Sequence, residues 1–141
     1  MQGYLAVTDA ILILGRLHPD YFPQIFGPHE NESLDLIGAR TALQSLTDQI
    51  NHEAASAEQS SRPVEEVALG FLCVANETMI RPIREVSVQR GFDIQEHVLA
   101  CFGGAGGQHA CALARDLGIS LVFVHRFAGI LSAYGMGLAD I

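Results

Sequence analysis

The sequence predicts a helix-rich α/β fold, and three observations predict it. Before residue 91, two long stretches repeat apolar side chains at the spacing of one helix face. After it, two short apolar runs, His97 to Phe102 and Leu121 to His125, flank another helical stretch, the pattern of a βαβ unit. The composition supports a packed core: 49% of the 141 residues are hydrophobic and only 17% are charged.

In chain order, Ile11, Leu12, Ile13, Leu14 and Leu17 predict a short buried helix from Asp9 to Leu17, capped by Thr8 or Asp9. His18-Pro19 ends it, because a residue before proline avoids the α region. Tyr21 to Asn31 reads as an ordered loop anchored by Phe22, Ile25 and Phe26. A second helix is expected from about Leu34 to Ala55, with Leu36, Ala39, Leu43, Leu46 and Ile50 as its apolar stripe. Ala55 to Arg62 is a polar linker. The third and longest helix starts near Pro63, with Glu65 and Glu66 suiting its positive end. Its expected core face is Val64, Val67, Ala68, Phe71, Leu72, Ala75 and Met79. Pro82 should kink or split it, and Gly91 is the expected stop.

The second part reads as strand, glycine turn, helix from about Gln108 to Leu117 ending at Gly118, strand, and a last apolar helix over Gly129 to Ala139. A parallel pair joined by a helix is expected to cross over with right-handed sense. Two strands make too small a sheet to stand alone, so further strands are expected from outside these residues or from a partner copy. The domain expectation is one partial domain over residues 1–141, helical to about 91 and βαβα from about 97.

A net charge of -8 argues against a nucleic-acid backbone as partner. No apolar run reaches the length of a membrane span, and Met1-Gln2-Gly3-Tyr4 does not open like a signal peptide. These features predict a cytoplasmic protein with no membrane partner. Cys73, Cys101 and Cys111 are odd in number and form no CxxC pair, so they read as small buried hydrophobes rather than a disulfide framework. Both ends read as cut: Ala6-Val7-Thr8-Asp9-Ala10 resembles the middle of a folded element, and the apolar pattern from Ile130 to Ile141 stops without a cap. Chains cut from a larger fold expose apolar surface, so a homo-oligomer is one expectation.

The strongest chemical signal is Gly103-Gly104-Ala105-Gly106-Gly107 between a strand and a helix. Glycines let a ligand reach the backbone, and the helix that follows offers free N–H groups. Gly103, Gly104, Ala105, Gly106, Gly107 and Gln108 are therefore the candidate cofactor-binding residues. The turn is neither GxGxxG nor a P-loop, and a tight packing turn is the plainer alternative. His109, just inside the helix, is a candidate acid, base or ligand contact, set against a capping or packing histidine. Asp9 is a second weak catalytic candidate, set against helix capping. His97, Cys101, His109 and Cys111 match no standard zinc spacing, although strand alternation would put His97 and Cys101 on one buried face; no metal site is expected. Arg81 and Arg84 follow Asn76 and Glu77, which makes an intrahelical Glu77–Arg81 pair the plain reading. The sharper one has the Pro82 kink aim an arginine into a cleft.

Several separated motifs resemble the A-type subunit of the hydantoinase/oxoprolinase family. They are Ala6-Val7-Thr8-Asp9-Ala10 leading to Leu14-Gly15-Arg16-Leu17, Tyr21-Phe22-Pro23, Ile25-Phe26-Gly27-Pro28, Val74-Ala75-Asn76-Glu77 and Arg81-Pro82-Ile83-Arg84. Ala100 to Ala110, His125-Arg126-Phe127 and Gly129 to Gly135 complete the set. Gly106-Gly107-Gln108-His109 and His125-Arg126-Phe127 resemble the 5-oxoprolinase branch, whereas hydantoinases tend to carry proline at the place of Gly107. Ile11 stands where the family typically has asparagine.

The resemblance implies part of an actin-like ATPase lobe of the sugar-kinase and heat-shock-chaperone type, with the glycine turn on the adenosine side of the nucleotide. It implies cleavage of 5-oxo-L-proline to L-glutamate, driven by ATP hydrolysis with Mg²⁺. Phosphorylating the amide oxygen of an unreactive lactam creates the leaving group that lets water open the ring. The family's aspartate-rich phosphate turns are not among these residues, so the chain is expected to be a fragment, inactive alone, that works with the remaining parts of the enzyme or a partner subunit. Two alternatives stand beside it: a hydantoinase-type cyclic amide hydrolase fragment, and a structural or self-association module without catalytic role.

Overall fold

The computed structural model describes residues 4–56 and 59–139. Its helices are α1 (Val7–Ile13), α2 (Leu36–Ser56), α3 (Val64–Val86), α4 (Gly106–Leu117) and α5 (Leu131–Leu138), and its strands are β1 (Val98–Cys101) and β2 (Leu121–Val124). The chain divides into two compact units, Met1–Ala75 and Asn76–Ile141, with the division inside α3.

In the first unit, α1 begins two residues earlier than the pattern suggested. Neither Thr8 nor Asp9 is the N-cap; Asp9 lies in the first turn and accepts from the Ala6 N–H at 2.7 Å, while its own N–H donates to the Ala6 carbonyl at 3.0 Å. The helix also stops earlier, well before His18-Pro19. Gly15 takes φ 66°, its N–H returns to Leu12 O, and Arg16 N–H returns to Ile11 O. This left-handed cap consumes the carbonyls that would have carried the helix to Leu17.

Helix α2 starts where Asp35 accepts from the Gly38 N–H at 2.8 Å. Ala39 and Leu43 are buried, Leu46 and Ile50 pack against them, and Leu36 at the first position is exposed. Thr47, a polar position outside the expected stripe, is fully buried because its hydroxyl donates to the Leu43 carbonyl at 2.8 Å. Val64, Val67 and Ala68 of α3 complete this core with Ala10, Leu12 and Ile13 of α1. Phe71, expected in the core, is instead 45% exposed and lines an apolar cavity of about 420 Å³ with Leu5, Leu43 and Leu46. Ala57 and Glu58 of the expected linker lie outside the described residues. Its end is pinned, since the Asn51 side-chain amide accepts from Arg62 N–H at 2.8 Å and donates to Arg62 O at 2.9 Å.

Helix α3 runs through Pro82 without being split. It ends at Val86 rather than at Gly91, which instead closes a short 3₁₀ turn, Val88–Arg90, with φ 85°. Glu77 pairs with Arg84 at 3.6 Å, two turns along the helix, and not with Arg81 one turn along. In the second unit, β1 and β2 pair in parallel, with Val98 opposite Leu121 and Cys101 opposite Val124. Leu113, Ala114 and Leu117 of α4 pack with Ile80 and Ile119, and Leu99 and Val122 lean onto that core from one face of the sheet. Val98, Leu121 and Phe123 point away from it and are exposed. The last helix is preceded by a 3₁₀ turn, Ala128–Ile130, so only Leu131–Leu138 is α-helical. Asp140 and Ile141, in the apolar pattern expected to run to the end, lie outside the described residues, as do Met1, Gln2 and Gly3.

Among the described residues, no helix is long and apolar enough to cross a membrane. The expected helix-rich α/β class with a parallel βαβ unit is the one the chain adopts.

Candidate functional site

The candidate site is the connection from β1 to α4. Strand β1 ends at Cys101, and Phe102 leads into Gly103, whose φ of 91° would strain a residue with a side chain. The Gly103 N–H donates to the Ala128 carbonyl at 2.9 Å, which ties the turn to the segment after β2. Only Gly103, Gly104 and Ala105 form the turn itself. Gly106 and Gly107, read from the sequence as part of the bend, are the first two residues of α4. The helix starts this early because nothing in the backbone opposes it: Gln108 N–H already returns to the Ala105 carbonyl at 3.1 Å.

That start has a chemical consequence. The N–H groups of Gly106 and Gly107, the first two of the helix, have no intrahelical acceptor, and the residue before them, Ala105, has no side chain that can cap them. Gly103, Gly104, Ala105 and Gly107 are exposed, while Gly106, Gln108 and His109 are half-buried. A Cβ built on Gly103, Gly104 or Gly107 would meet nothing within 4 Å. The turn is therefore open, with bare backbone on its surface, rather than shut beneath side chains. Gly106 differs, because a Cβ there would stand 2.9 Å from Cys101 Sγ. Its glycine serves the close approach of strand and helix.

Beside the turn lies a cavity of about 340 Å³ lined by Leu99, Cys101, Ala105, Gly106, His109 and Leu113, among others. His109 Nδ1 lies 2.8 Å from Oδ1 of Asn76 on α3. This contact spans 33 positions of sequence, and no local pattern announces it. On the other side, His125 accepts from the Phe127 N–H at 3.1 Å through Nδ1. Phe127 and Tyr134 ring centres are 5.2 Å apart, and the Arg126 guanidinium sits 4.8 Å above the Phe127 ring. Those contacts make His125-Arg126-Phe127 a shoulder ending at Ala128, the acceptor for Gly103. Neither Asn76 nor Ala128 was singled out from the sequence as part of the site.

The remaining candidates sit elsewhere. Asp9 belongs to the first unit, where its carboxylate caps α1 and lines a cavity with Thr8, Glu32 and Asp35. His97 falls outside β1 and is exposed: its backbone N–H returns to the Ile94 carbonyl at 3.1 Å instead of joining the ladder, and its Nδ1–H donates to the Asp93 carbonyl at 2.7 Å. It therefore shares no buried face with Cys101. Cys111 on α4 and Cys73 on α3 are both exposed and Cys101 is half-buried, so the cysteines are not the buried hydrophobes that their sequence context suggested. Among the described residues, no three His, Cys, Asp or Glu side chains gather in a way that could hold a metal ion.

Comparisons with known proteins cover nearly the whole chain. The family model described as hydantoinase/oxoprolinase matches residues 2–141. A 5-oxoprolinase of Dictyostelium discoideum is 57% identical over 140 residues, 99% of this chain and 11% of the relative. 5-oxoprolinase 1 of Arabidopsis thaliana is 57% identical over 141 residues, again 11% of its length. Among solved structures, the ATP-dependent caprolactamase from Pseudomonas jessenii superposes with a TM-score of 0.70 at 32% identity, over 96% of this chain and 18% of that one. The chain thus spans about a tenth of the length of these curated 5-oxoprolinases. By the family model and by identity over its full length, the chain belongs to the hydantoinase/oxoprolinase family.

Proposed function

We propose that this chain is the nucleotide-contacting piece of an ATP-dependent 5-oxoprolinase, the enzyme that opens 5-oxo-L-proline to L-glutamate at the expense of ATP. The observation that carries the reading is the open glycine turn: uncapped amides of Gly106 and Gly107 and side-chain-free surface at Gly103, Gly104 and Gly107. Backbone donors of this kind suit the oxygens and hydroxyls of a nucleotide. The names of the relatives at 57% identity supply the substrate.

In this reading, Gly103, Gly104, Ala105, Gly106, Gly107 and Gln108 bind the nucleotide, and the tie from Gly103 to Ala128 keeps the turn in shape for it. ATP, when bound, supplies the phosphoryl group that turns the lactam oxygen into a leaving group. This chain's residues hold and orient the nucleotide; they do not carry the ring-opening. Asp9 spends its carboxylate on Ala6, and the described residues gather no set of side chains that could hold a metal ion. Phosphate and magnesium ligands belong, in this account, to the remaining parts of the enzyme, and the isolated chain is inactive. The same division of labour makes residues 1–141 one working part of a larger ATPase lobe. Further strands would join at the free edges of the β1–β2 pair, and its exposed outer face is where another layer would pack.

The test is an ADP titration of the isotope-labelled chain, followed at the backbone amides. Saturable shifts confined to Gly103 through His109 and their neighbours support the reading. A silent turn at millimolar ADP contradicts it and favours a packing turn in a self-associating module. Saturable 5-oxoproline-dependent ADP release by the chain alone would contradict the claim that it is inactive.

A further inference from the structure

We propose that His125 is a pH-sensitive latch for the glycine turn: its neutral ring braces the 125–128 turn that holds Gly103, and protonating the ring releases that brace. The latch itself stands on geometry alone, and its effect on nucleotide binding rests on the reading of the turn given above.

Three hydrogen bonds run in series from the imidazole to the glycine turn. The Phe127 N–H donates to His125 Nδ1 at 3.1 Å, the Ala128 N–H donates to the His125 carbonyl at 2.8 Å, and the Gly103 N–H donates to the Ala128 carbonyl at 2.9 Å. In the first, a side chain accepts from the backbone two residues on, as asparagine and aspartate do in their own turns. A backbone N–H donates and cannot accept, so Nδ1 is bare and the neutral ring keeps its proton on Nε2. An imidazolium carries a proton on both nitrogens and accepts nothing. Protonating His125 therefore sets Nδ1–H against the Phe127 N–H, and the ring or the peptide must move. Ala128, the next residue, is the one that ties down Gly103.

The ring is half-buried in a cluster that gives the charged form a place to stay. Phe123 of β2, Phe127 of the turn and Tyr134 of α5 stand with ring centres 6.4, 5.7 and 5.6 Å from it. Aromatic faces accept a cation. The Arg126 guanidinium, 4.8 Å from the centre of the Phe127 ring, brings a like charge to the same cluster, and the Tyr134 phenol is the other titratable group in it. None of these neighbours is a carboxylate that could hold the imidazolium where the neutral ring sits. Histidine is the side chain whose charge ordinarily changes between about pH 5 and pH 8.

The experiment is an NMR pH titration of the isotope-labelled 141-residue chain from about pH 8 to about pH 5, following the His125 ring nitrogens with the amides of Phe127 and Gly103. The expected neutral ring has its proton on Nε2. As it gains the second proton, both amides shift with the ring's own midpoint. Hydrogen exchange at Gly103, corrected for the intrinsic rate, loses roughly tenfold of its protection. His125→Asn supplies an oxygen that accepts from the same N–H without titrating, so both amides stay still and Gly103 stays protected. ADP affinity in the parent falls with the ring's midpoint, and falls further than in His125→Asn. A neutral ring protonated on Nδ1, a ring that stays neutral throughout, or a ring that titrates while either amide stays still overturns the latch. So does a His125→Asn chain that keeps the parent's pH dependence. Amides that follow the ring in a chain that binds no ADP at any pH leave the latch standing and overturn the nucleotide reading. ADP bound with the same pH dependence in parent and variant overturns only the latch's effect on binding. Because the titration of the unaltered chain decides the latch by itself, the outcome does not depend on the variant folding.

Discussion

Cys101 Sγ stands 2.9 Å from the place a Cβ on Gly106 would occupy, so the end of β1 and the start of α4 approach more closely than any side chain at 106 permits. Gly106→Ala should therefore lower stability by about 1 kcal/mol, the scale of a small overpacking. In a Cys101→Ala background the overlap disappears, and alanine at a helical position is preferred to glycine. There the same change should be neutral or slightly stabilising. Denaturant unfolding of the four variants measures the coupling; equal costs in both backgrounds would refute the contact.

Gly103 and Gly104 are neighbours with opposite constraints. Gly103 holds φ 91° and a 2.9 Å bond to Ala128, whereas Gly104 has neither a positive φ nor anything within 4 Å of its Cβ position. Gly103→Ala should cost about 1–2 kcal/mol, the strain of a left-handed residue with a side chain. Gly104→Ala should stay within about 0.5 kcal/mol of the parent. Thermal or urea unfolding separates them.

Glu65, in the first turn of α3, is held below the usual carboxylate range by its backbone hydrogen bond and by Arg40, whose guanidinium donates to it at 3.0 Å. A carboxyl lowered on folding contributes stability above its unfolded value, and that contribution is lost as pH falls through the lowered one. Glu65→Gln should therefore be less stable than the parent at neutral pH, with the gap closing on acidification. Both side chains of the pair are exposed to solvent, so the gap is small and shrinks with salt. A gap that widens toward acid would contradict the assignment.

Where the sequence was legible, one force dominated. The apolar stripes of α2 and α3 and the strand–helix–strand order follow from burial alone, and Ala39, Leu43, Val64, Val67, Ala68 and Leu72 are buried as their spacing required. Misreadings occur where two forces compete. Asp9 looked like a cap and caps from inside the helix, because its side chain reaches back to Ala6. Leu17 looked helical, but the left-handed turn at Gly15 had already closed α1. Two of the four glycines in the bend are helical, since glycine permits a turn without requiring one. Of the candidate site, the open turn was visible as a string of small residues. The Asn76–His109 bond and the Gly103–Ala128 tie were not, because tertiary contacts across 33 and 25 positions leave no local signature.

The central claim is that exposed backbone at the glycine turn meets a nucleotide, and Gly104→Ala tests it most directly. The substitution adds one methyl group to open space and disturbs no packing. ADP affinity is measured by calorimetry on the parent and on the variant, with unfolding curves confirming equal stability. The account predicts at least a tenfold weakening, about 1.4 kcal/mol, as the added Cβ holds the ligand off the backbone. Equal affinity in parent and variant would mean that the nucleotide does not touch this turn.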